Sequence, residues 1–153
     1  MVDNREDAGR ELIGAWAKRC YFAGRAVMDS TLRAYDLGSV QWYVLHQLAT
    51  DGPKMQRDLV RMLAIERATM TGIVATLMRK GLVAQETSPA DQRQKLLRMT
   101  AAGAALWGEL PDLSFIRSVA FDGIDDADIA TAIQVLQTAT QRLETFLEKG
   151  TCS

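Results

Sequence analysis

The segment that decides the fold is KMQRDLVRMLAIERATMTGIVATLMRKGLVAQETSPADQRQKLLRMTAAG, residues 54–103. Apolar side chains recur with helical spacing over residues 56–63 and again over residues 66–80. Two extended patterns follow, at residues 82–86 and 95–99. Helix, turn, helix and two-stranded ribbon in this order predict a winged helix-turn-helix, a unit that binds DNA.

The second of these helices, Glu66–Lys80, is amphipathic. The residues at core-facing i, i+3, i+4, i+7 spacing are Met70, Ile73, Val74 and Leu77. The opposite face is small and polar, and Gly72 lies in its middle, where glycine costs about 1 kcal/mol relative to alanine. We interpret Gly72 as the point where the backbone approaches the wall of a DNA groove. The alternative is an ordinary amphipathic helix with a featureless outer face.

The ribbon is predicted to form a wing with Asp91 and Arg93 at its tip. An arginine on a ribbon tip fits a narrow minor groove, where the potential is most negative. Asp91 is predicted to hold the Arg93 guanidinium by bidentate pairing. The alternative is a solvated hairpin with an incidental charge pair.

Charge is unevenly distributed along the chain. Residues 54–98 contain nine basic and four acidic residues, a net charge of +5, whereas the whole chain carries −1 and the remainder therefore −6. A basic centre in an acidic chain indicates that one region alone contacts phosphate. The predicted DNA contacts are Arg57, Arg67, Ala68, Thr69, Thr71, Gly72, Thr76, Arg79, Asp91, Arg93 and Lys95.

Several classes of function are disfavoured. No apolar run approaches the roughly 18 residues of a membrane span, and residues 1–10 have no signal-peptide core, so we expect a cytoplasmic protein without a membrane partner. Cys20, Cys152 and His46 form no cluster with metal-ligand spacing, so we expect no metal and no cofactor. No nucleophile–base pair or phosphate loop is present, so we expect that the protein is not an enzyme.

The N-terminal region is predicted to form one long helix, Glu6–Tyr35. Its apolar residues lie on two flanks: Leu12, Trp16, Cys20, Ala23 and Val27 on one, Ile13, Ala17, Tyr21, Met28 and Leu32 on the other. So wide an apolar surface in a short chain favours contact with a partner chain. Gly38 is expected to end this helix in the left-handed conformation. Ser39 is expected to cap the next helix, Val40–Thr50, ahead of a short strand at Lys54–Met55.

The C-terminal region is also predicted to be helical. Thr100 begins a helix over Ala101–Leu110, Pro111 breaks it, and the helical pattern resumes over Asp112–Phe121. Asp125 caps the last helix. That helix carries a heptad seam: Ile129, Ile133, Leu136, Thr140, Leu143 and Leu147. We interpret the seam as a dimer contact; the alternative is packing on the protein's own body.

At these residues the chain resembles the MarR family of winged-helix regulators. The motifs that carry the resemblance are Leu37-Gly38, Asp58-Leu59, Arg67-Ala68-Thr69-Met70-Thr71, Lys80-Gly81-Leu82-Val83, Asp91-Gln92-Arg93 and Thr100 with Gly103. The resemblance implies one domain that is mainly α with a small antiparallel β wing. Residues 1–37 and 101–153 would form dimerisation helices, and residues 38–100 the winged helix-turn-helix. Glu66, where the family usually has a good capping residue, and Pro111, in a helix that is often continuous, depart from the pattern.

The resemblance also implies a homodimer on a palindromic operator, most often a repressor released by a small aromatic ligand. The predicted ligand contacts are Arg25, Arg33, Trp42 and His46. One alternative is a thiol-based redox sensor acting through Cys20 on the same scaffold. Another is a protein–protein module that uses a winged helix without binding DNA.

Overall fold

The computed structural model describes residues 4–150, with side chains from residue 7 onward. Within that range the chain is mostly helical, with one small sheet. In order the elements are α1 (Asn4–Leu32), a 3-10 turn (Arg33–Tyr35), α2 (Ser39–Asp51), β1 (Lys54–Met55), α3 (Gln56–Leu63), α4 (Arg67–Arg79), β2 (Val83–Thr87), β3 (Lys95–Met99), α5 (Ala101–Glu109), α6 (Phe115–Phe121) and α7 (Asp126–Gly150). The predicted fold class, mainly α with an antiparallel wing, is confirmed.

The junction between α1 and α2 differs from the prediction in two ways. The left-handed residue is Asp36, with φ of 53°, whereas Gly38 is extended with φ of −99°. Ser39 is not the cap of α2 but its first residue; it is buried, and its hydroxyl accepts from Arg25 Nε at 3.1 Å. The Ser39 N–H donates to Asp29 Oδ1 at 2.6 Å, so a carboxylate of α1 satisfies the first turn of α2.

The helix-turn-helix follows the prediction closely. Helix α3 has the predicted bounds, and α4 is one residue shorter at each end. Ala64 takes the left-handed conformation, φ of 51°, at the turn. The residues that hold the two helices on the core are Leu59, Met70, Val74 and Leu77, each at most 2% exposed. Burial of this apolar face explains why periodicity alone located both helices.

The wing is a three-stranded antiparallel sheet with the order β1-β3-β2. In the β2–β3 ribbon Val83 pairs with Met99, and Thr87 with Lys95. Central strand β3 carries Leu97, which is fully buried. Strand β2 begins one residue later than predicted, because the Leu82 N–H still donates to Leu77 O of α4, at 3.0 Å, beyond the left-handed Gly81 (φ of 72°).

Helix α5 is anchored where α4 ends and the wing begins. The Thr100 hydroxyl donates to Gly81 O at 2.6 Å and accepts the Gly103 N–H at 3.0 Å, and the Thr100 N–H donates to Leu82 O at 3.1 Å. A Cβ atom at Gly103 would lie 2.1 Å from Leu82 O and 2.8 Å from Met99 Cγ. Only glycine permits so close an approach of α5 to the backbone at Leu82.

The boundaries of the C-terminal helices agree with the prediction to within one residue, except at the start of α6. Helix α5 ends before Pro111, as predicted, but the next helix starts at Phe115 rather than at Asp112. Asp125 Oδ1 accepts the Ala127 N–H at 2.7 Å and thereby caps α7, as predicted.

The described chain divides into two compact units, residues 4–113 and 114–150. Each carries apolar side chains that remain exposed. On α1 these include Leu12, Ile13, Trp16 and Tyr21, and on α7 Ile133, Leu136, Leu143 and Leu147. Within residues 4–150, none of the helices combines the length and the apolar character that crossing a bilayer requires.

We expect Gly103→Ala to destabilise the fold by about 1–3 kcal/mol, the usual cost of forcing an extra methyl group into a packed site. Gly108→Ala, in the same helix, is the control. A Cβ atom there meets nothing within 4 Å, so the change should stabilise the protein, by at most about 1 kcal/mol. Urea unfolding followed by circular dichroism measures both. Equal stability changes in the two variants would contradict the role of Gly103.

Candidate nucleic-acid interface

A groove of about 550 Å³ lies between α3, the start of α4 and the turn of the wing. Its lining comprises Met55, Gln56, Arg57, Val60, Arg61, Arg67, Thr71, Asp91, Arg93, Gln94 and Lys95. Six of the predicted DNA contacts therefore meet at one place: Arg57, Arg67, Thr71, Asp91, Arg93 and Lys95. The sequence analysis missed Gln56, Arg61 and Gln94, because no local pattern distinguishes them from other polar surface residues.

The other predicted contacts lie along the outer side of α4. Ala68, Thr69, Gly72 and Arg79 are exposed, and Thr76 is half-buried. A Cβ atom at Gly72 would meet nothing within 4 Å. No packing requirement of the described residues therefore accounts for this glycine in the middle of α4.

The basic residues of the segment 54–98 fall into two groups. Four have a carboxylate partner: Lys54 with Asp51 (3.5 Å), Arg61 with Asp58 (2.8 Å), Lys80 with Asp36 (3.5 Å) and Arg98 with Glu86 (2.7 Å). The other five have no ion-pair partner among residues 7–150: Arg57, Arg67, Arg79, Arg93 and Lys95. These five are the cations predicted to contact DNA. Their charge is not neutralised within the described part of the chain, so it is available to an external anion.

The turn of the wing is held by Asp91, but not in the predicted way. Asp91 Oδ1 accepts the backbone N–H of Arg93 at 2.9 Å, and the Asp91 carbonyl accepts the N–H of Gln94 at 3.0 Å. The predicted bidentate pairing with the Arg93 guanidinium is wrong, because the carboxylate is engaged by the backbone of the turn. Asp91 shapes the turn and leaves the Arg93 guanidinium unpaired.

The three threonines of α4 differ in their hydroxyl groups. Thr71 donates to the Arg67 carbonyl and Thr76 to the Gly72 carbonyl, each at 3.0 Å. For Thr69 the structure shows no hydrogen bond to any described residue. Of the three, Thr69 therefore offers a hydroxyl proton that is not already donated within the helix.

A separate cluster of rings lies between α2 and α5. The Trp42 ring centroid is 4.9 Å from that of His46 and 5.4 Å from that of Trp107, and His46 and Trp107 are 5.8 Å apart. Trp42 and His46 were predicted to share a surface; Trp107 was missed. The available signal was a lone tryptophan in a helix of small residues, but nothing in the sequence places that helix against α2.

The predicted arginines differ in their relation to this cluster. Arg25, half-buried on α1, bonds Ser39 on α2 and is close enough to Tyr43 to affect its titration. Burial raises the pKa of Tyr43 above 10.0, the charge of Tyr21 raises it further, and Arg25 partly offsets this. Arg33 is exposed in the 3-10 turn, and no contact with the rings is seen among the described residues.

Two further expectations from the sequence concern a possible thiol sensor at Cys20 and the absence of a metal site. Cys20 is exposed on α1, and the Arg19 guanidinium lies 5.1 Å from the Trp16 ring centroid. Among the described residues no three His, Cys, Asp or Glu side chains come together in a way that would hold a metal ion. Cys152 lies outside the described residues.

Comparison with known proteins identifies similar sequences. A family model described as the MarR family matches residues 35–94. The chain is 30% identical over 105 residues to the HTH-type transcriptional repressor NicR of Pseudomonas putida, and this match covers 69% of the chain and 66% of NicR. It is 31% identical over 113 residues to the transcriptional activatory protein BadR of Rhodopseudomonas palustris, covering 69% of the chain and 64% of BadR. The chain thus spans slightly less than two thirds of each of these relatives, both of which are named as regulators of transcription.

A solved structure resembles the fold. It is that of Bordetella bronchiseptica BpsR, whose DNA binding is regulated by 6-hydroxynicotinic acid. The superposition has a TM-score of 0.71 and 28% identity and covers 83% of this chain and 91% of BpsR. With the winged helix-turn-helix described above, these matches lead to one conclusion: the chain belongs to the MarR family.

Proposed function

We propose that the protein is a homodimeric, sequence-specific DNA-binding regulator of transcription, most simply a repressor. The observation that carries the proposal is the set of five cations without ion-pair partners around α3, α4 and the wing. Unpaired cations on one surface match the regular array of phosphates on a duplex. The name of NicR supports repression, whereas BadR is named as an activator, so repression is the part of the proposal that depends on NicR alone.

In this proposal α4 enters the major groove with its outer side, where Gly72 leaves room for the helix backbone to approach the base edges. Arg67, at the start of α4, reaches a guanine or a phosphate. Arg93, freed by the turn at Asp91, enters the adjacent minor groove. Arg57 and Lys95 bind phosphates on either side and set the position of the protein on the duplex.

The proposed dimer rests on the apolar surfaces of the two helical ends. Trp16 is 60% exposed on α1, and Leu143 and Leu147 are 66% and 68% exposed on α7. Burial of such side chains against a partner chain is favourable by about 25 cal/mol per Å² of apolar area. Residues 1–37 and 101–153 are therefore proposed as the dimerisation region and residues 38–100 as the DNA-binding region. Two binding units related by a twofold axis fit a palindromic site.

The proposal is tested with a duplex enriched by the full-length protein from a randomised library. We expect binding to weaken steeply with salt. Arg93→Gln should reduce the slope of log Kd against log salt by about 2 per dimer, because each protomer loses one cation that displaces a counterion from the duplex. Arg98→Gln is the matched control on the wing, because Arg98 is already paired with Glu86. Failure to enrich any sequence, or equal slopes for the two variants, would count against the proposal.

Replacing Gly72 by alanine should change the stability of the fold and the affinity for DNA in opposite directions. Gly72→Ala should raise the free energy of unfolding by up to about 1 kcal/mol, because alanine favours the helix and its Cβ atom meets nothing. The same methyl group should hold α4 away from the bases and weaken DNA binding roughly 10- to 30-fold, the loss of one contact worth about 1 kcal/mol in each half-site. Gly108→Ala, stabilising but remote, should leave binding unchanged. Unaltered binding by Gly72→Ala would exclude close approach at this residue.

We further propose that a small aromatic carboxylate regulates DNA binding from the ring cluster of α2 and α5. Trp42 and Trp107 offer ring surfaces, and His46 offers a polar edge. Arg25, on α1, supplies the positive charge for the carboxylate. It is bonded to Ser39, which lies about one helical turn before Trp42 on α2. Aromatic walls with few polar groups are typical of small-molecule sites. The regulation of BpsR by 6-hydroxynicotinic acid supports this class of effector.

Titration with 6-hydroxynicotinate should quench tryptophan fluorescence and raise the melting temperature by roughly 5–10 °C at about 100 times Kd. Trp107→Leu should abolish the quenching and most of the shift. Trp16→Phe is the control, because the structure shows no ring contact between Trp16 and the three described rings of the cluster. Quenching that survives Trp107→Leu but disappears in Trp16→Phe would assign the site elsewhere. A series of benzoates and phenols then identifies the effector class.

A further inference from the structure

A chain of side-chain hydrogen bonds leads from the wing to the recognition helix α4. Gln85 Nε2, on β2, donates to Gln56 Oε1 at 2.8 Å. Gln56 Nε2, at the start of α3, donates to Thr71 Oγ1 at 3.4 Å, and the Thr71 hydroxyl donates to the Arg67 carbonyl at 3.0 Å. In each of the three bonds the donor is the group nearer to the wing along this chain of bonds, and the acceptor is the next group toward Arg67. Gln56 and Thr71 therefore each accept from the residue before them in the chain of bonds and donate to the residue after them.

The chain of bonds determines which part of Thr71 a ligand meets. Its hydroxyl proton is donated within α4, and its oxygen already accepts from Gln56. Both glutamines are half-buried, whereas Thr71 is exposed and lines the groove of about 550 Å³. The hydroxyl then has no proton left to donate to a ligand, and the methyl group is the part of the Thr71 side chain that forms no hydrogen bond. A threonine held in this state makes an apolar contact rather than donating a hydrogen bond.

We infer that Thr71 is a specificity-determining residue that recognises the C5-methyl group of a thymine in each half-site. This inference rests on the proposed DNA-binding function. The thymine methyl group lies on the major-groove edge, where apolar contact from alanine or a threonine methyl group distinguishes it from the other bases. Gln56 and Gln85 act as positioning residues, because they hold the Thr71 oxygen away from the base.

The inference is tested on the enriched duplex by replacing each thymine in turn with uracil, which removes only the methyl group. At one position in each half-site, uracil should weaken binding by the wild-type protein about fourfold, or about 15-fold when both half-sites are changed. Thr71→Val keeps the methyl group and lacks the hydroxyl. It should retain the uracil penalty and bind within about twofold of wild type, since only solvent-exposed bonds are lost.

Thr71→Ser is the matched opposite, because it keeps the hydroxyl and lacks the methyl group. It should bind the thymine duplex about as weakly as the wild-type protein binds the uracil duplex, and the uracil penalty should vanish. The inference is overturned if no thymine-to-uracil change matters, if Thr71→Ser keeps the penalty, or if Thr71→Val loses it. Failure to enrich any duplex would instead refute the DNA-binding proposal itself, so the two failures are distinguishable. The uracil series on the wild-type protein needs no variant to fold.

Discussion

The close contact between α5 and the backbone at Leu82 is the constraint on which the DNA-binding unit depends. A helix can approach a carbonyl this closely only where it has no Cβ atom, and Gly103 is that point. Thr100 fixes the same contact from the other side by bonding Gly81 and Leu82. The end of α4, the start of the wing and the start of α5 are therefore held together by the Gly103 contact and two hydrogen bonds from Thr100. The orientation of the recognition helix relative to the wing follows from this junction, and so does the position of Trp107 on α5.

Electrostatics then separates two kinds of surface on the same unit. Four basic residues of the segment 54–98 have nearby carboxylates, whose attraction is worth little at an exposed site but cancels the local charge. Arg61, which lines the groove, is one of these four. The other cations of the groove lining, Arg57, Arg67, Arg93 and Lys95, have no such partners in the described part of the chain. Since charges farther apart than about 8 Å are screened at physiological salt, it is this local pattern, not the net charge of −1, that a duplex would encounter. An acidic protein can in this way present one basic face.

The accuracy of the sequence predictions depended on the range of the interactions involved. The bounds of α3 and the start of β3 were correct, because burial of one face imposes a period that is visible in the chain itself. The cap of α2 was wrong, because Asp29, ten residues away on another helix, does the work assigned to Ser39. The role of Asp91 was wrong for a similar reason: a carboxylate beside an arginine suggests an ion pair, but in a tight turn the nearer partner is the backbone N–H.

The sequence by itself determined the order of helices and strands, the core side of α4 and the concentration of positive charge in residues 54–98. These properties are local, since they depend on periodicity, turn residues and composition over short windows. Only the tertiary structure decided that Asp36 neutralises Lys80 and Glu86 neutralises Arg98, that Trp107 joins Trp42 and His46, and that the Thr71 hydroxyl is engaged by Gln56. Each of these depends on two segments distant in the chain meeting at hydrogen-bond or ring-contact distance, and no single stretch of sequence specifies that distance.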